Sequence, residues 1–492
     1  MQSITSIVIA GGGTAGWMTA ASFAKHFPHL SICVVESSEI GSIGVGEATI
    51  PTIRHFNRAL GLTDEQVMKY TGATCKLGIQ FNGWYDEQSS FIHPFGTYGE
   101  PLNGIAFHHY WLKNRSLGEP HSLESYSVAV QLAKHGKFAL PPTNPNSSLA
   151  VFDWALHLDA SLYAKLLKDV AIKAGVKIID AKIESVRLSE ESGDIAELVL
   201  CDGNKVEGDF FIDCTGFSSL LLGKALKVEY RDWSKWLLCD RAIAVQSQTN
   251  VTPNPYTEAN AKNAGWQWRI PLQHRQGNGQ VYSSHHVSDE EALSTLLSDI
   301  NGEPTSEPKN IKFRPGCRTH FWVKNCVAMG LAAGFFEPIE STNIALIETA
   351  IERLKLFFPH KGISSSLVDE FNARTVKEYE SVRDFVLLHY VLNNKKEPFW
   401  RDYRHIELPD SLMHRMSLYQ TNGILVRQRH EIFQPNSWLA IYDGFNCYPN
   451  TYDPCIDKID NQYLCQGLAQ MREGIAKAVS ATPLHQHFLN RL

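Results

Sequence analysis

Four groups of residues in this 492-residue chain have types and spacings that could do chemistry. Gly11, Gly13 and Gly16 occupy the glycine positions of G-x-G-x-x-G, with Thr14 and Ala15 between the last two. Glycines so spaced let the backbone turn tightly and approach a pyrophosphate at a helix N-terminus; an acid about twenty residues on, here Glu36, can hydrogen-bond a ribose hydroxyl. Lys76 stands among apolar neighbours in Thr74-Cys75-Lys76-Leu77-Gly78-Ile79. A lone lysine is ordinarily a solvated surface charge, but a desolvated one can serve as nucleophile or acid. Trp266 and Trp268, in Gly265-Trp266-Gln267-Trp268-Arg269-Ile270-Pro271, set two indoles on one side of a strand, either as core packing or as a wall beside a site. Glu340 stands immediately before Ser341-Thr342-Asn343. Ser341 or Thr342 can cap the helix predicted over 344–358, and the N–H groups at its start would suit an anion.

These groups need elements to hold them. Ser6–Ala10 (SIVIA) reads as a buried strand running into the glycines, followed by an alanine-rich helical run and a second strand over 32–35 that ends at Glu36. Strand, helix, strand and acid together predict a dinucleotide-binding unit. No second fingerprint is present, because Gly277-Asn278-Gly279 lacks the third glycine and a following helix. One dinucleotide site must then carry the redox chemistry. Apolar residues Leu158, Leu162, Leu166, Val170 and Ala174 predict a helix over 155–174, closed by Gly175. Strands are predicted over 176–179, Ile183–Leu188, Ile195–Leu200 and Phe210–Asp213, the last running into Thr215-Gly216, and loops over 140–148, 251–265 and 301–310. From 361 onward the pattern is helical, above all over 368–392. The fold class is α/β (α+β): residues 1–360 a dinucleotide-binding module with a β-rich insertion, and 361–492 a smaller helical module.

Composition removes several alternatives. Lys plus Arg number 46 against 52 Asp plus Glu, a net charge of −6 with no basic stripe, which argues against a nucleic-acid-coating protein. The longest apolar runs, such as 326–336, fall well short of the ~18 residues a membrane span requires. The apolar stretch 7–10 has no basic region before it and leads into the glycines, so the chain reads as unexported and cytoplasmic. The ten cysteines include no CxxC pair and the 20 histidines no HExxH, so no metal site is expected.

Taken together, these segments resemble the flavin-dependent halogenases of the tryptophan-halogenase type, a family that pairs an N-terminal GxGxxG with W-x-W-x-I-P. Trp266-x-Trp268-x-Ile270-Pro271 matches that motif at each specified position, and the likeness runs from residue 1 to at least Ile344, with Ser437-Trp438 and Gly444 similar further on. The resemblance implies an FAD-binding, Rossmann-like two-domain flavin monooxygenase/halogenase fold. It maps the family's catalytic lysine onto Lys76 and its catalytic glutamate, in a P-L-E-S-T-G-like stretch, onto Glu340. It implies FAD contacts from Gly11, Gly13, Thr14, Ala15, Gly16 and Glu36, from Gly46, Glu47 and Ala48 in a flavin strap over 44–51, and from Leu331. Residues 213–216 look like the second flavin-domain motif. The cofactor would be FAD, arriving as FADH2 from a separate flavin reductase and using O2 to oxidise a halide ion, chloride or bromide, held near Thr342 and Asn343. The resulting hypohalous acid would travel to Lys76, which hydrogen-bonds it or forms an N-halo amine. Glu340 would polarise the halogen or take the ring proton, and Trp266 and Trp268 would keep the substrate from the flavin. His93 and Phe95 resemble part of an aromatic sandwich, a structural turn being the other reading, and Trp438 and Tyr442 are further candidates. The implied substrate is a small aromatic molecule: tryptophan, another indole or a phenol. A homodimer is also implied. Asn343 stands where the family usually has glycine, which leaves the choice between chloride and bromide open.

Two other functions compete with this one. A flavin monooxygenase would hydroxylate the ring by similar flavin–oxygen chemistry, but leaves Lys76, Glu340, Trp266 and Trp268 unexplained as a set. A non-catalytic FAD-binding protein would have no use for both Lys76 and Glu340.

Overall fold

The apolar run Ser6–Ala10 is the fourth strand of a six-stranded sheet ordered Trp322–Val323, Cys326–Ala328, Phe210–Asp213, Ser6–Ala10, Ser31–Glu36 and Lys177–Asp180. It pairs in parallel with Phe210–Asp213 on one side and Ser31–Glu36 on the other. A strand covered on both faces has no place for polar side chains, and Ile7 to Ala10 are all buried. This is a computed structural model, describing residues 3–40, 46–118, 121–145, 147–249, 251–429 and 431–492. By Cα packing the chain forms two units: 1–73 with 158–242 and 311–380, and 74–157 with 243–310 and 381–492. The division therefore interleaves the chain and differs from the expected break at 360/361.

In the first unit the helix Thr14–His26 packs against the helices Ala160–Lys173 and Thr342–Phe357. Its small buried residues, Ala20, Ala21, Ser22 and Ala24, allow that close approach. Ile183–Leu188, Ile195–Leu200 and Lys205–Glu207 form a separate antiparallel sheet, the β-rich insertion.

The helix expected over 155–174 begins later. Ala155–Asp159 is a strand, and Asp159 starts the helix Ala160–Lys173 by accepting hydrogen bonds from the N–H groups of Ser161 and Leu162. The apolar period was continuous across the boundary; the cap at Asp159 was the overlooked signal.

The second unit is built on a sheet in which Gln276–Tyr282, Gly265–Pro271, Thr257–Lys262, Gly78–Asn82 and Ser90–Pro94 are successive neighbours. Thr257–Lys262 falls inside an expected loop; its polar sequence, TEANAK, hides a strand paired on both sides. Helices follow in the C-terminal part, including Asp410–Asn422, Pro435–Gly444, Asn461–Ala481 and His485–Leu489. Trp84, Trp266, Tyr390, Trp400 and Tyr403 form a buried aromatic cluster, with Trp84 5.3 Å from Trp400 and 6.2 Å from Trp266 between ring centroids. No helix of the described residues is long and apolar enough to cross a membrane.

Candidate functional site

The first unit holds the glycine turn. Gly11 has φ +109°, and a Cβ there would lie 2.2 Å from the Cys214 carbonyl oxygen. A Cβ on Gly16 would lie 1.9 Å from the Gly11 carbonyl oxygen, so both positions exclude a side chain. Gly13 differs, because a Cβ there meets nothing within 4 Å. Gly13 also starts the helix Thr14–His26 without a side-chain cap, leaving the first N–H groups, at Thr14 and Ala15, to an incoming anion. Residues closed by backbone on two sides and open on the third fit a dinucleotide pyrophosphate.

Glu36 ends its strand with both oxygens engaged. Trp17 Nε1 donates to Oε2 at 3.2 Å and Lys168 Nζ to Oε1 at 2.6 Å. A carboxylate has lone pairs beyond these two, so the contacts fix its orientation and still leave it able to accept a ribose hydroxyl. Asp213, fully buried, accepts from Thr215 N, Thr215 Oγ1, Leu221 N and Leu222 N at 2.6–3.0 Å and thereby shapes the turn that follows it. Gly46, Glu47 and Ala48 form a short strand, and burial pushes the Glu47 carboxyl up to about 7. Of the expected strap over 44–51, Gly44 and Val45 lie outside the described residues. Leu331 is half-buried in the turn Gly330–Ala332.

Glu340 is 1% exposed at the end of the short helical turn Pro338–Glu340. Ser341, with φ +58°, occupies the N-cap position of the helix Thr342–Phe357 but makes no side-chain cap hydrogen bond. The expected cap is therefore absent, and the helix N-terminus is open. Thr342 is buried, and its Oγ1 has no hydrogen-bond partner among the described residues. Asn343 Nδ2 donates to the Phe336 carbonyl at 3.4 Å. Asn343 does not share the positive φ of Ser341, so replacing the family's glycine there demands no unusual backbone angle.

The second unit holds Lys76, fully buried on the strand Thr74–Lys76, which pairs antiparallel with 155–157. Its Nζ lies 5.1 Å from the Phe95 ring centroid. Trp266 and Trp268 are both buried, with ring centroids 6.0 Å apart. Trp266 belongs to the aromatic core through Trp84, one of the two roles open from sequence.

His93 lies on the strand Ser90–Pro94, not in a turn, and its ring is 5.8 Å from Phe385 and 6.4 Å from Phe433. Trp438 lies 5.0 Å from the same Phe385, with the Arg415 guanidinium 4.6 Å from its ring. The structure thus brings His93 and Trp438 to one aromatic cluster and Phe95 to Lys76. Phe385 and Phe433, stacked at 3.8 Å, were missed from sequence, and nothing local marks them out. Among the described residues neither Trp438 Nε1 nor Tyr442 OH has a hydrogen-bond partner, although both side chains are buried.

Comparison with known proteins is consistent along the whole chain. The family profile described as tryptophan halogenase matches residues 6–461. The chain is 33% identical over 515 residues to 7-chloro-L-tryptophan 6-halogenase KtzR of Kutzneria sp. (strain 744), covering 99% of each. Among solved structures, BrvH, a flavin-dependent halogenase from Brevundimonas sp. BAL3, superposes with a TM-score of 0.97 at 53% identity, covering 100% of both chains. Xcc4156, a flavin-dependent halogenase from Xanthomonas campestris, gives a TM-score of 0.96 at 43% identity, covering 100% of this chain and 98% of that one.

Proposed function

We propose, since this chain belongs to the tryptophan halogenase family, that Lys76 delivers the halogen and Glu340 manages the ring proton in the halogenation of an electron-rich aromatic ring. The protein is a flavin-dependent halogenase that uses FAD and a halide. What bound FAD supplies, in its reduced form and with O2, is oxidation of the halide to hypohalous acid.

The burial of Lys76 beside Phe95 carries this reading. An amine held out of water keeps hypohalous acid from dispersing and presents its halogen to a stacked ring. Either the ammonium donates a hydrogen bond to the acid's oxygen, or the neutral amine exchanges a proton for halogen, releasing water. The ring then takes the halogen and loses a proton, which Glu340 accepts. In the first case the hydroxide left by the acid takes a proton from the ammonium and departs as water; in the second the amine that has given up its halogen is reprotonated. Thr342 Oγ1 and the uncapped N–H groups at Thr342 and Asn343 hold the halide beforehand. His93, Phe95 and Trp438 bind the aromatic substrate, tryptophan or another indole, and Trp266 and Trp268 separate it from the flavin. The lack of a second nucleotide fingerprint favours reductant delivered as FADH2 by a separate flavin reductase, in the cytoplasm; a homodimer is the expected assembly.

The test is mass spectrometry of products from the protein with a flavin reductase, FAD, NADH, O2, chloride or bromide, and a panel of indoles and phenols. A halogen mass shift lost in Lys76→Ala, with FADH2 oxidation intact, is the expected result. Retention of halogenation by Lys76→Ala would overturn the role of Lys76, and an oxygen mass shift would replace halogenation with hydroxylation.

A further inference from the structure

The two residues directly before Lys76 are held by side chains that the halogenation scheme does not use. Thr74, two residues before it and on the same face of the strand, has its Oγ1 2.6 Å from the carbonyl oxygen of Pro271 and 2.9 Å from His157 Nδ1. A carbonyl only accepts, so the one hydroxyl proton of Thr74 goes to Pro271, and Thr74 Oγ1 must accept from a protonated His157 Nδ1. His157 Nε2 lies 2.9 Å from Thr257 Oγ1. Burial, with Lys76 adding like charge, holds His157 far below the usual histidine range, so the ring is neutral and its bare Nε2 accepts from Thr257. The hydrogen bonds therefore run in one direction, from Thr257 through His157 and Thr74 to Pro271. Pro271 ends the strand that carries Trp266 and Trp268, so the chain of bonds ties the Lys76 strand to that strand.

A second histidine acts on the next residue. His485 Nδ1 lies 2.9 Å from the Pro253 carbonyl, which requires a proton on Nδ1, and its bare Nε2 accepts the Cys75 N–H at 3.2 Å. Two neutral imidazoles thus hold the residues directly preceding Lys76. Neither adds a cation beside the amine.

We propose that His157 is a positioning residue for Lys76: its Nδ1–H orients Thr74 so that the Lys76 strand is locked to the strand of the two tryptophans. This rests on the reading of Lys76 given above. If the lock slips, the amine moves from its place against Phe95, and a shift of about 1 Å at a reacting group can cost up to about a hundredfold in rate.

The experiment compares His157→Leu, His157→Asn, Thr74→Val and Lys76→Ala, reading halogenated product formed per FADH2 oxidised together with the melting temperature. Asparagine sets an N–H donor where Nδ1 stands and keeps the bond to Thr74; leucine cannot. The expected result is a loss of about tenfold in coupled product for His157→Leu, recovery to within about threefold in His157→Asn, and a His157→Leu/Thr74→Val double variant no worse than either single. Equal losses in the leucine and asparagine variants, or additive losses in the double variant, would overturn the inference. Should His157→Leu fail to fold, Thr74→Val and His157→Asn still decide it. The Lys76→Ala control separates the two failures: halogenation surviving there defeats the reading of Lys76, whereas full coupling in His157→Leu and Thr74→Val alongside an inactive Lys76→Ala defeats only the role of His157.

Discussion

Gly279 lies directly across from Trp268 in the pairing of Gly265–Pro271 with Gln276–Tyr282, and a Cβ on Gly279 would stand 2.0 Å from Trp268 Cζ2. The indole lies flat over the glycine, in space that no other residue would leave it. From sequence, Gly277-Asn278-Gly279 was only a failed nucleotide fingerprint; its use is to seat the second tryptophan of the W-x-W-x-I-P motif. Gly279→Ala must push the ring out of its seat. The expected cost is about 1–3 kcal/mol, the usual range for overpacking a filled core, read by denaturant unfolding with tryptophan emission as the probe. An alanine variant as stable as the parent, with unchanged emission, would show that the ring moves freely and that the seat is not specific.

A buried carboxyl in the first unit gives a pH dependence with a definite sign. Glu348 is buried on the helix Thr342–Phe357; burial pushes its carboxyl up to about 8, against a hydrogen bond from Thr52, with Glu352 adding to the rise. At pH below the ordinary carboxylate range the folded and unfolded chains both hold this proton, and stability is at its full value. As pH rises toward 8 the unfolded chain releases the proton while the fold keeps it. Stability therefore falls, by at most about 1.4 kcal/mol per pH unit. Glu348→Gln removes the titration. Its melting temperature should match the parent near pH 4 and exceed it progressively from pH 5 to 8; a difference that does not change with pH would refute the account.

Asp213 is a buried carboxylate whose oxygens accept from two hydroxyl-bearing residues and two helical N–H groups. Asp213→Ala strands the Thr215 hydroxyl and the two N–H groups, whereas Ser219 Oγ keeps the Ala332 carbonyl at 3.1 Å. Asparagine, with an amide nitrogen facing N–H groups, restores only part of the loss. We expect destabilisation of about 3 kcal/mol for alanine, with weaker FAD retention than the parent, measured by thermal unfolding and by flavin fluorescence on titration. Full FAD affinity in Asp213→Ala would mean that the turn 215–225 does not support the cofactor.

The parts of the site that were legible in sequence are those whose meaning is local. The spacing of Gly11, Gly13 and Gly16 between a strand and a helix was enough to predict the turn, although the group that excludes a side chain at Gly11, the Cys214 carbonyl, comes from far along the chain. Lys76 was different: only its apolar neighbours hinted at burial, and its importance came from the likeness to a family. His157 and His485 were not legible at all. Their partners Thr74 and Cys75 stand 83 and 410 positions away along the chain, and such pairings exist only once the strands have assembled. The strand Ala155–Asp159 was hidden for a related reason. Its pairing with Thr74–Lys76 overrides a helical period that continues beyond it.

The last prediction concerns the helix Pro435–Gly444. Trp438 and Tyr442 are one turn apart on it, and both bury a polar atom that has no hydrogen-bond partner among the described residues. Tyr442 is stacked on Tyr419, with centroids 3.9 Å apart and planes 5° from parallel, so its ring is fixed apart from its hydroxyl. A buried hydroxyl without a partner costs about 1–3 kcal/mol, so removing it should stabilise the free protein or leave it unchanged. If the hydroxyl serves the aromatic substrate, Tyr442→Phe will raise KM several-fold while the melting temperature holds or rises. If it serves a structural water, the melting temperature will fall and KM will not move. Differential scanning fluorimetry and steady-state kinetics on the same preparation separate the two, and we expect the first.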